Sequence, residues 1–248
     1  ALADAEGGQG SVVLVAGEAG IGKTALVWAL AERARARGAR VLVGGCDDLT
    51  TPRTLGPLRD VAAELDPALA DALARGVGLD DVLNLLPGAL ASGTTVLVLE
   101  DLHWADDATL DLLRYLGRRF ADCRALLVGT YRDDEVGTGH PLRRALGDLA
   151  GTASVQRLSV APLSPLGVAA LAAGRDVDAE ALHRRTGGNP FFVTEVLAAP
   201  DAGLPAKVED AVMARAARLG SDARAALDVA YRGRAGRARA VPRAGARR

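Results

Sequence analysis

Short apolar runs alternate with amphipathic segments along the chain as far as residue 160. The apolar runs are rich in Val and Leu, which predicts strands. They are SVVLVA (11–16), ARVLVGGC (39–46), TTVLVLE (94–100), RALLVGTYR (124–132) and ASVQRLSV (153–160). Segments with helical spacing lie between them, including TALVWALAERARARG (24–38), DDATLDLLRYLGRRF (106–120) and HPLRRALGDLA. Uniformly apolar strands separated by helices predict an α/β fold, a parallel sheet of roughly five strands with helices on both faces.

The strand pattern stops after Pro162, and residues 163–231 show only helical periodicity. This change predicts an α/β domain over residues 1–162, followed by a small all-α domain over 163–231. Within the first domain, residues 47–92 predict a loop and several short helices because prolines interrupt the segment repeatedly.

Charge is distributed unevenly along the chain. Residues 232–248 hold seven Arg and no acid, and the whole chain carries a net charge of −1, so the remainder carries −8. This basic tail has no apolar periodicity, and two interpretations stay open. It could bind nucleic acid, or it could be the disordered end of a truncated or frame-shifted chain, and we favour the second.

Two cysteines, Cys46 and Cys123, fit a reducing cytosol, so we expect a cytoplasmic protein. No signal peptide is recognisable, and no apolar run approaches the roughly 20 residues of a membrane span, so we expect no membrane partner. The chain does not begin with Met and opens close to its first strand, which suggests a fragment of a longer protein.

The first strand leads into GEAGIGKT (17–24), which matches the phosphate-loop pattern G-x-x-x-x-G-K-T/S. Glycines let the backbone turn tightly and direct N–H groups inward, while the following helix contributes its positive N-terminal end. Lys23 is expected to reach the β- and γ-phosphates, and Thr24 to hold Mg²⁺ through its hydroxyl. The predicted nucleotide-binding residues of this loop are Gly17, Glu18, Ala19, Gly20, Ile21, Gly22, Lys23, Thr24 and Ala25.

The third strand ends in two adjacent acids, Glu100 and Asp101. Nucleotide hydrolysis needs a carboxylate near Mg²⁺ and a group that orients or deprotonates the attacking water. Such groups lie at the carboxyl ends of strands in open α/β sheets. We therefore predict that both acids belong to the same site as the phosphate loop.

Five segments in order carry a family resemblance. They are GEAGIGKT, VLVLEDLHWADDATLDLLRYL, LLVGTYRDDE, HPLRRALGDL and RRTGGNPFFVTEVL. Together they resemble the ATPase module of large LuxR-type transcriptional regulators of actinobacteria, over roughly residues 9–231. Those proteins belong to the STAND branch of AAA-like P-loop NTPases. The resemblance implies an ATP- and ADP-binding site with Mg²⁺, and a helical lid domain over residues 163–231.

The resemblance also implies roles for the acids. The family commonly has Asp-Asp before LHWAD, so Glu100 takes the metal-side place and Asp101 the water-side place. Both acids then join Thr24 as candidate metal ligands. His103 could touch the site or be a packed or surface histidine, and Trp104 is expected to be a packing anchor. Asp106 or Asp107 is predicted to cap the helix that follows.

Arg132 ends the fourth strand, where similar STAND proteins place an arginine that reports the γ-phosphate. The alternative is a surface arginine paired with Asp133 or Asp134. Pro162 and Leu163 are candidates for contact with adenine, again by resemblance. In GGNPFFV (187–193), the glycines are expected to end one helix, and Asn189 and Pro190 to begin the next. Phe191 and Phe192 are expected to pack in the core.

These features favour an ATP-binding, slowly hydrolysing switch of a transcriptional regulator, with self-association in the ATP state. DNA would be bound only through a domain absent from this chain. Two other functions stay open, a nucleic-acid-stimulated AAA+ ATPase and a small-molecule kinase. The first would need basic residues across the folded part, which nets −8, and the second would need an acceptor pocket.

Overall fold

The computed structural model describes residues 1–198, 210 and 213 of the 248-residue chain. The chain divides into two compact units, one from Ala1 to Leu163 and one that begins at Ser164. The helices predicted beyond residue 198 and the basic tail lie outside the described residues, apart from Asp210 and Met213.

A five-stranded parallel sheet forms the centre of the first unit, in the order β2-β3-β4-β1-β5. The strands are β1 (Ser11–Ala16), β2 (Arg40–Gly45), β3 (Thr95–Glu100), β4 (Ala125–Tyr131) and β5 (Val155–Ser159). All five lie within the predicted apolar runs. β1 matches its run completely, and the other four strands are one to three residues shorter than theirs. β3 and β4 are almost entirely buried, as the continuous Val and Leu runs require, whereas β5 is a largely exposed edge strand.

Helices cover both faces of this sheet, which confirms the predicted fold class. The first unit contains α1 (Leu2–Glu6), α2 (Lys23–Ala36), α3 (Gly56–Leu65), α4 (Pro67–Arg75), α5 (Leu79–Leu90), α6 (Asp107–Arg119) and α7 (Pro141–Asp148). On one face, α1 and α2 pack against the sheet through a small cluster that includes Ala5, Val27 and Ala34. On the other face, α3 to α7 contribute to a larger cluster of Leu, Val and Phe side chains.

Helix α1 is absent from the sequence prediction, which treated the residues before β1 only as a Gly-rich approach. It spans five residues, fewer than two turns, so its apolar spacing could not establish a period. Its burial is tertiary in origin, because Ala5 packs beneath the sheet and Glu6 accepts two hydrogen bonds from Arg37.

The described part of the second unit is helical, with α8 (Pro165–Leu171), α9 (Ala179–Thr186) and α10 (Pro190–Ala198). Gly187 adopts a left-handed φ of 60° where α9 ends, and the Asn189 side chain accepts from the N–H of Phe191 at the start of α10. Phe191 and Phe192 are half-buried, so the expected core position is only partly reached, and Val193 and Leu197 are the buried residues of α10. Among the described residues, no helix combines the length and apolar character needed to cross a membrane.

Candidate functional site

The loop between β1 and α2 carries three glycines in conformations that side chains rarely adopt. Gly17, Gly20 and Gly22 have φ values of 155°, 74° and 101°. A Cβ atom on Gly17 would lie 2.9 Å from Cγ2 of Ile21 and 3.3 Å from the carbonyl oxygen of Val160. Glycine is therefore favoured at Gly17, where the loop passes the end of β5.

Lys23 is the first residue of α2 and is buried. Its Nζ donates to the carbonyl oxygens of Gly17, at 2.7 Å, and Glu18, at 2.9 Å. Burial lowers the pKa of this ammonium from its ordinary value, and the positive charge of Arg132 lowers it further. An anion that entered the loop would relieve both penalties, so the position favours a phosphate ligand.

Glu100 ends β3 on the far side of β4 from the strand that leads to the phosphate loop. Its side chain nevertheless lies near that of Thr24, in the first turn of α2. Burial raises the pKa of Glu100, the charge of Asp101 raises it further, and the nearby Thr24 hydroxyl opposes both effects. The predicted metal-side acid and the predicted metal-binding hydroxyl are thus neighbours.

Asp101 leaves the strand in a left-handed conformation with a φ of 56°, one of two non-glycine residues with positive φ in the described chain. Its N–H donates to Oγ1 of Thr130 on β4, at 3.0 Å, which anchors this turn. Its carboxylate oxygen lies 3.8 Å from Nδ1 of His103. The turn therefore directs the two adjacent acids to different neighbours, Glu100 to Thr24 and Asp101 to His103.

His103 follows Asp101 in a short 3-10 turn, and its side chain is completely buried. Nε2 lies 3.7 Å from an oxygen of Glu135, and neither ring nitrogen has a hydrogen-bond partner within the described part of the chain. Burial lowers the pKa of His103 despite the two nearby carboxylates. Two interpretations of His103 were left open, contact with the site or packing. The side chain is packed, and it also lies beside Asp101 of the acid pair.

Arg132 follows β4, which lies next to β3 in the sheet. Its guanidinium donates to Glu135 at 2.7 Å and lies 5.1 Å from the ring centroid of Trp104. The partner in this ion pair is Glu135, which directly follows the two acids, Asp133 and Asp134, that the alternative named. We did not predict a role for Glu135 from the sequence. It stands three residues after Arg132 in RDDE, and this spacing could have indicated the pair.

The remaining predicted residues lie along the same edge of the first unit. Glu18 and Ala25 are exposed, Ala19 is half-buried and Ile21 is buried beneath the loop. Val160 packs against Gly17, and the chain then continues to Pro162, which is exposed, and Leu163, which is half-buried. Trp104 packs against the larger core cluster, as expected of an anchor, and Asp106 is the residue that caps α6.

The donor atoms at this edge suit Mg²⁺, which prefers oxygen ligands and is often bound by one or two carboxylates together with substrate phosphates. Thr24 and Glu100 supply such oxygens side by side. In the described part of the chain, no group of three or more His, Cys, Asp or Glu residues could hold a metal ion alone. Phosphate oxygens of a bound nucleotide would complete the ligand set of such a metal.

Comparisons with known proteins find relatives that share part of this chain or its fold. An uncharacterised protein of Rhizobium meliloti (strain 1021) is 29% identical over 237 residues, covering 76% of this chain and 22% of that protein. A Pyrococcus horikoshii Signal Transduction ATPase with Numerous Domains (STAND), with a tetratricopeptide repeat sensor, is similar in fold. Its TM-score is 0.54 at 20% identity, over 89% of this chain and 32% of that one. Cdc6p from Pyrobaculum aerophilum has a TM-score of 0.47 at 20% identity, over 69% of this chain and 44% of that one.

The chain spans about a fifth of the curated relative and about a third of the STAND structure. At this identity, the structural similarity to the STAND protein shows the fold alone. The AAA ATPase domain family matches residues 1–128, which include the phosphate loop, the acid pair and α6. This chain belongs to the AAA ATPase domain family.

Proposed function

We propose that this chain is the ATP-operated switch module of a larger STAND-type transcriptional regulator and that it hydrolyses ATP slowly. The proximity of Thr24 and Glu100 carries this proposal. It brings a phosphate-loop hydroxyl and a strand-end carboxylate together beside Lys23, the arrangement that a Mg-nucleotide site requires.

Lys23 supplies the positive charge for the β- and γ-phosphates. On ATP binding, its ammonium exchanges the carbonyl oxygens of Gly17 and Glu18 for phosphate oxygens. Thr24 and Glu100 are the residues that would hold Mg²⁺, which would neutralise charge on the β- and γ-phosphate oxygens. The N–H groups of the glycine loop complete the phosphate cradle.

Asp101 is the residue that we assign to the attacking water. Its carboxylate accepts or orients the water proton while the water oxygen attacks the γ-phosphorus and ADP leaves. His103 acts as a positioning residue, because it is buried between Asp101 and Glu135 and limits the directions that either carboxylate can take. Asp101 has His103 as its neighbour, whereas Glu100 has Thr24, and we therefore assign the water to Asp101 and the metal to Glu100.

Arg132 is the group that we assign to γ-phosphate sensing. Glu135 and the ring of Trp104 hold its guanidinium at the end of β4. In the ATP state the γ-phosphate competes with Glu135 for this guanidinium, and loss of the phosphate returns it to Glu135. A charged hydrogen bond made in one nucleotide state only provides the differential affinity that a switch needs.

Pro162 and Leu163 are proposed to contact adenine, because they follow Val160 beyond its contact with Gly17. The resemblance of the full set of motifs to LuxR-type regulators supports a cytoplasmic protein that self-associates in the ATP state. In such a regulator DNA is bound by a separate domain, so this chain is not expected to bind DNA.

Hydrolysis and oligomer size, measured on the purified chain with ATP, ADP and added DNA, test the proposal. We expect slow hydrolysis that is indifferent to DNA, and a larger particle with ATP than with ADP. Arg132→Ala should reduce the preference for ATP over ADP about tenfold, whereas Arg118→Ala, on the exposed side of α6, should not. Fast DNA-stimulated turnover, or phosphate transfer to a metabolite, would reject the switch in favour of the other two functions.

A further inference from the structure

A cleft with a volume of about 560 Å³ opens on the surface of the first unit, between α3, α4 and the segment that precedes α3. We call it the arginine cleft. We call the polar side chains of its lining, Arg53, Thr54 and Arg59, the polar wall, and the apolar ones, which include Ala63, Ala70 and Ala74, the apolar wall. None of these residues takes part in the nucleotide site described above, so the cleft is a separate feature of the molecule.

Arg59 gives the cleft its charge. Its half-buried guanidinium donates through Nε to the carbonyl oxygen of Thr54, at 2.8 Å, and through a second nitrogen to that of Leu73, at 2.7 Å. Among the described residues it forms no ion pair with a carboxylate. Because a guanidinium has five N–H donors, donors and an uncompensated positive charge remain available to a ligand.

Arg53 adds a second positive charge at the rim. Its only described ion pair is with Asp60, at 3.3 Å, and both side chains are largely exposed. Such a pair contributes little and exchanges easily. A ligand carboxylate could therefore recruit Arg53 while Arg59 stays fixed by the two carbonyl groups.

The apolar wall provides room as well as hydrophobic surface. Ala63 and Ala74 are exposed and Ala70 is half-buried, so their methyl groups form the apolar surface, and the buried Ala62 and Leu73 form a packed base beneath them. Short alanine side chains at these positions leave the volume open. That volume falls in the range of about 300 to 1,000 Å³ that is usual for small-molecule sites.

We propose that the arginine cleft is a binding site for a small organic carboxylate with an apolar body. The carboxylate lies between Arg53 and Arg59, where a planar guanidinium fork can bind both oxygens. The apolar body lies on Ala63, Ala70 and Ala74. An inorganic anion would contact only the polar wall, because it has no apolar body.

The cleft is also connected to the loop that carries the acid pair. Leu55 directly follows Thr54 of the polar wall in the sequence and has a φ of 54°. Its N–H donates to both carboxylate oxygens of Asp106, at 3.2 and 3.3 Å. Asp106 caps α6 through Ala108 and lies immediately after the turn that contains His103. A ligand that fixes Arg53 and Thr54 therefore acts through Leu55 on Asp106, in the loop that follows the acid pair, and this regulatory part rests on the proposed function.

Octanoate is a suitable probe, with octanamide as its uncharged match. Calorimetric titration of the whole chain without nucleotide should show saturable octanoate binding, with octanamide at least about tenfold weaker. Ala74→Trp fills the cleft from an exposed position on its rim and should abolish binding, whereas Ala68→Trp, exposed on α4 outside the cleft, should not. Equal binding of octanoate and octanamide, unchanged binding in Ala74→Trp, or no saturable binding would overturn the proposal.

The regulatory part is tested by ATP hydrolysis and ATP affinity measured with and without octanoate. We expect octanoate to change the hydrolysis rate saturably in the wild type and in Ala68→Trp, but not in Ala74→Trp. A chain that binds octanoate but not ATP would refute the proposed function and leave the binding site standing. A chain that binds and hydrolyses ATP at a rate indifferent to bound octanoate would refute the coupling alone.

Discussion

The side chain of Thr24 lies near the carboxylate of Glu100, although β4 separates the strand that leads to Thr24 from the strand that ends at Glu100. The parallel order of the sheet makes this proximity possible, because it brings the carboxyl ends of β1, β4 and β3 to one edge. The first turn of α2 then spans the end of β4. The proximity of Thr24 and Glu100 thus brings the glycine loop and the acid pair into one site.

Replacing Thr24 tests whether this proximity marks a metal position. Thr24→Val keeps the shape of the side chain but removes the hydroxyl that is proposed to hold Mg²⁺. We expect ATP affinity in the presence of Mg²⁺ to fall about tenfold, and affinity in the presence of EDTA to stay unchanged. Calorimetric titrations under both conditions measure the difference.

Thr138→Val, in an exposed loop of the same unit, is the matched control and should bind like the wild type. An equal loss of affinity with and without Mg²⁺ would show that Thr24 supports the loop rather than a metal.

The two acids should differ in their effects. Asp101→Asn removes the carboxylate assigned to the water, so we expect the hydrolysis rate to fall by roughly a hundredfold or more while ATP affinity is retained. Glu100→Gln should instead weaken the dependence of ATP binding on Mg²⁺. Single-turnover hydrolysis and Mg²⁺ titrations separate these effects, and intact hydrolysis in Asp101→Asn would move the water-side role to Glu100.

His103 should make the stability of the first unit depend on pH. Burial holds its folded-state pKa below the ordinary value of 6.5, so its contribution is fully present above that pH and is lost as pH falls toward the folded-state pKa. The free energy of unfolding should therefore fall on acidification between about pH 7 and pH 5.5, and fall less steeply in His103→Asn. Urea denaturation across this range provides the measurement. Parallel pH profiles for the two proteins would exclude His103 as the source.

Arg40 stabilises the sheet edge away from the nucleotide site. Its guanidinium donates to the carbonyl oxygens of Leu65 and Ala89, near the ends of α3 and α5, and to the hydroxyl of Thr95. Arg40→Met keeps the apolar stem but leaves these carbonyls without the donor, which should cost about 1–3 kcal/mol of unfolding free energy. ATP affinity should not change.

Urea denaturation measures this loss, and Arg33→Met, at an exposed position of α2, is the control. The control should change stability by less than about 0.5 kcal/mol. Similar effects of the two substitutions would contradict the role given to Arg40.

Much of the fold could be predicted because the strands are continuous apolar runs. A central parallel strand has to be buried on both faces, so β3 and β4 leave a clear signal. Helix α1 left none, because its five residues are held by tertiary contacts with the sheet and with Arg37. Local periodicity cannot report such contacts.

The candidate site likewise has a part that the sequence predicts and a part that it does not. The phosphate loop is contiguous, so spacing alone identified Lys23 and Thr24. The pairing of Arg132 with Glu135 and the burial of His103 depend on side-chain directions after the strands end. The left-handed turn at Asp101 sets those directions, and an Asp at that position does not by itself predict such a turn. The arginine cleft arises from helix packing and had no sequence motif at all.

The binding of ATP by this loop is the central claim, and its most direct test is a calorimetric titration of the wild type and Lys23→Ala with ATP and Mg²⁺. Lys207→Ala, which changes the only other lysine of the chain, is the matched control. We predict saturable binding by the wild type and the control, and a loss of roughly a hundredfold in Lys23→Ala. Equal affinity in all three proteins would contradict the assignment of this loop as the phosphate site.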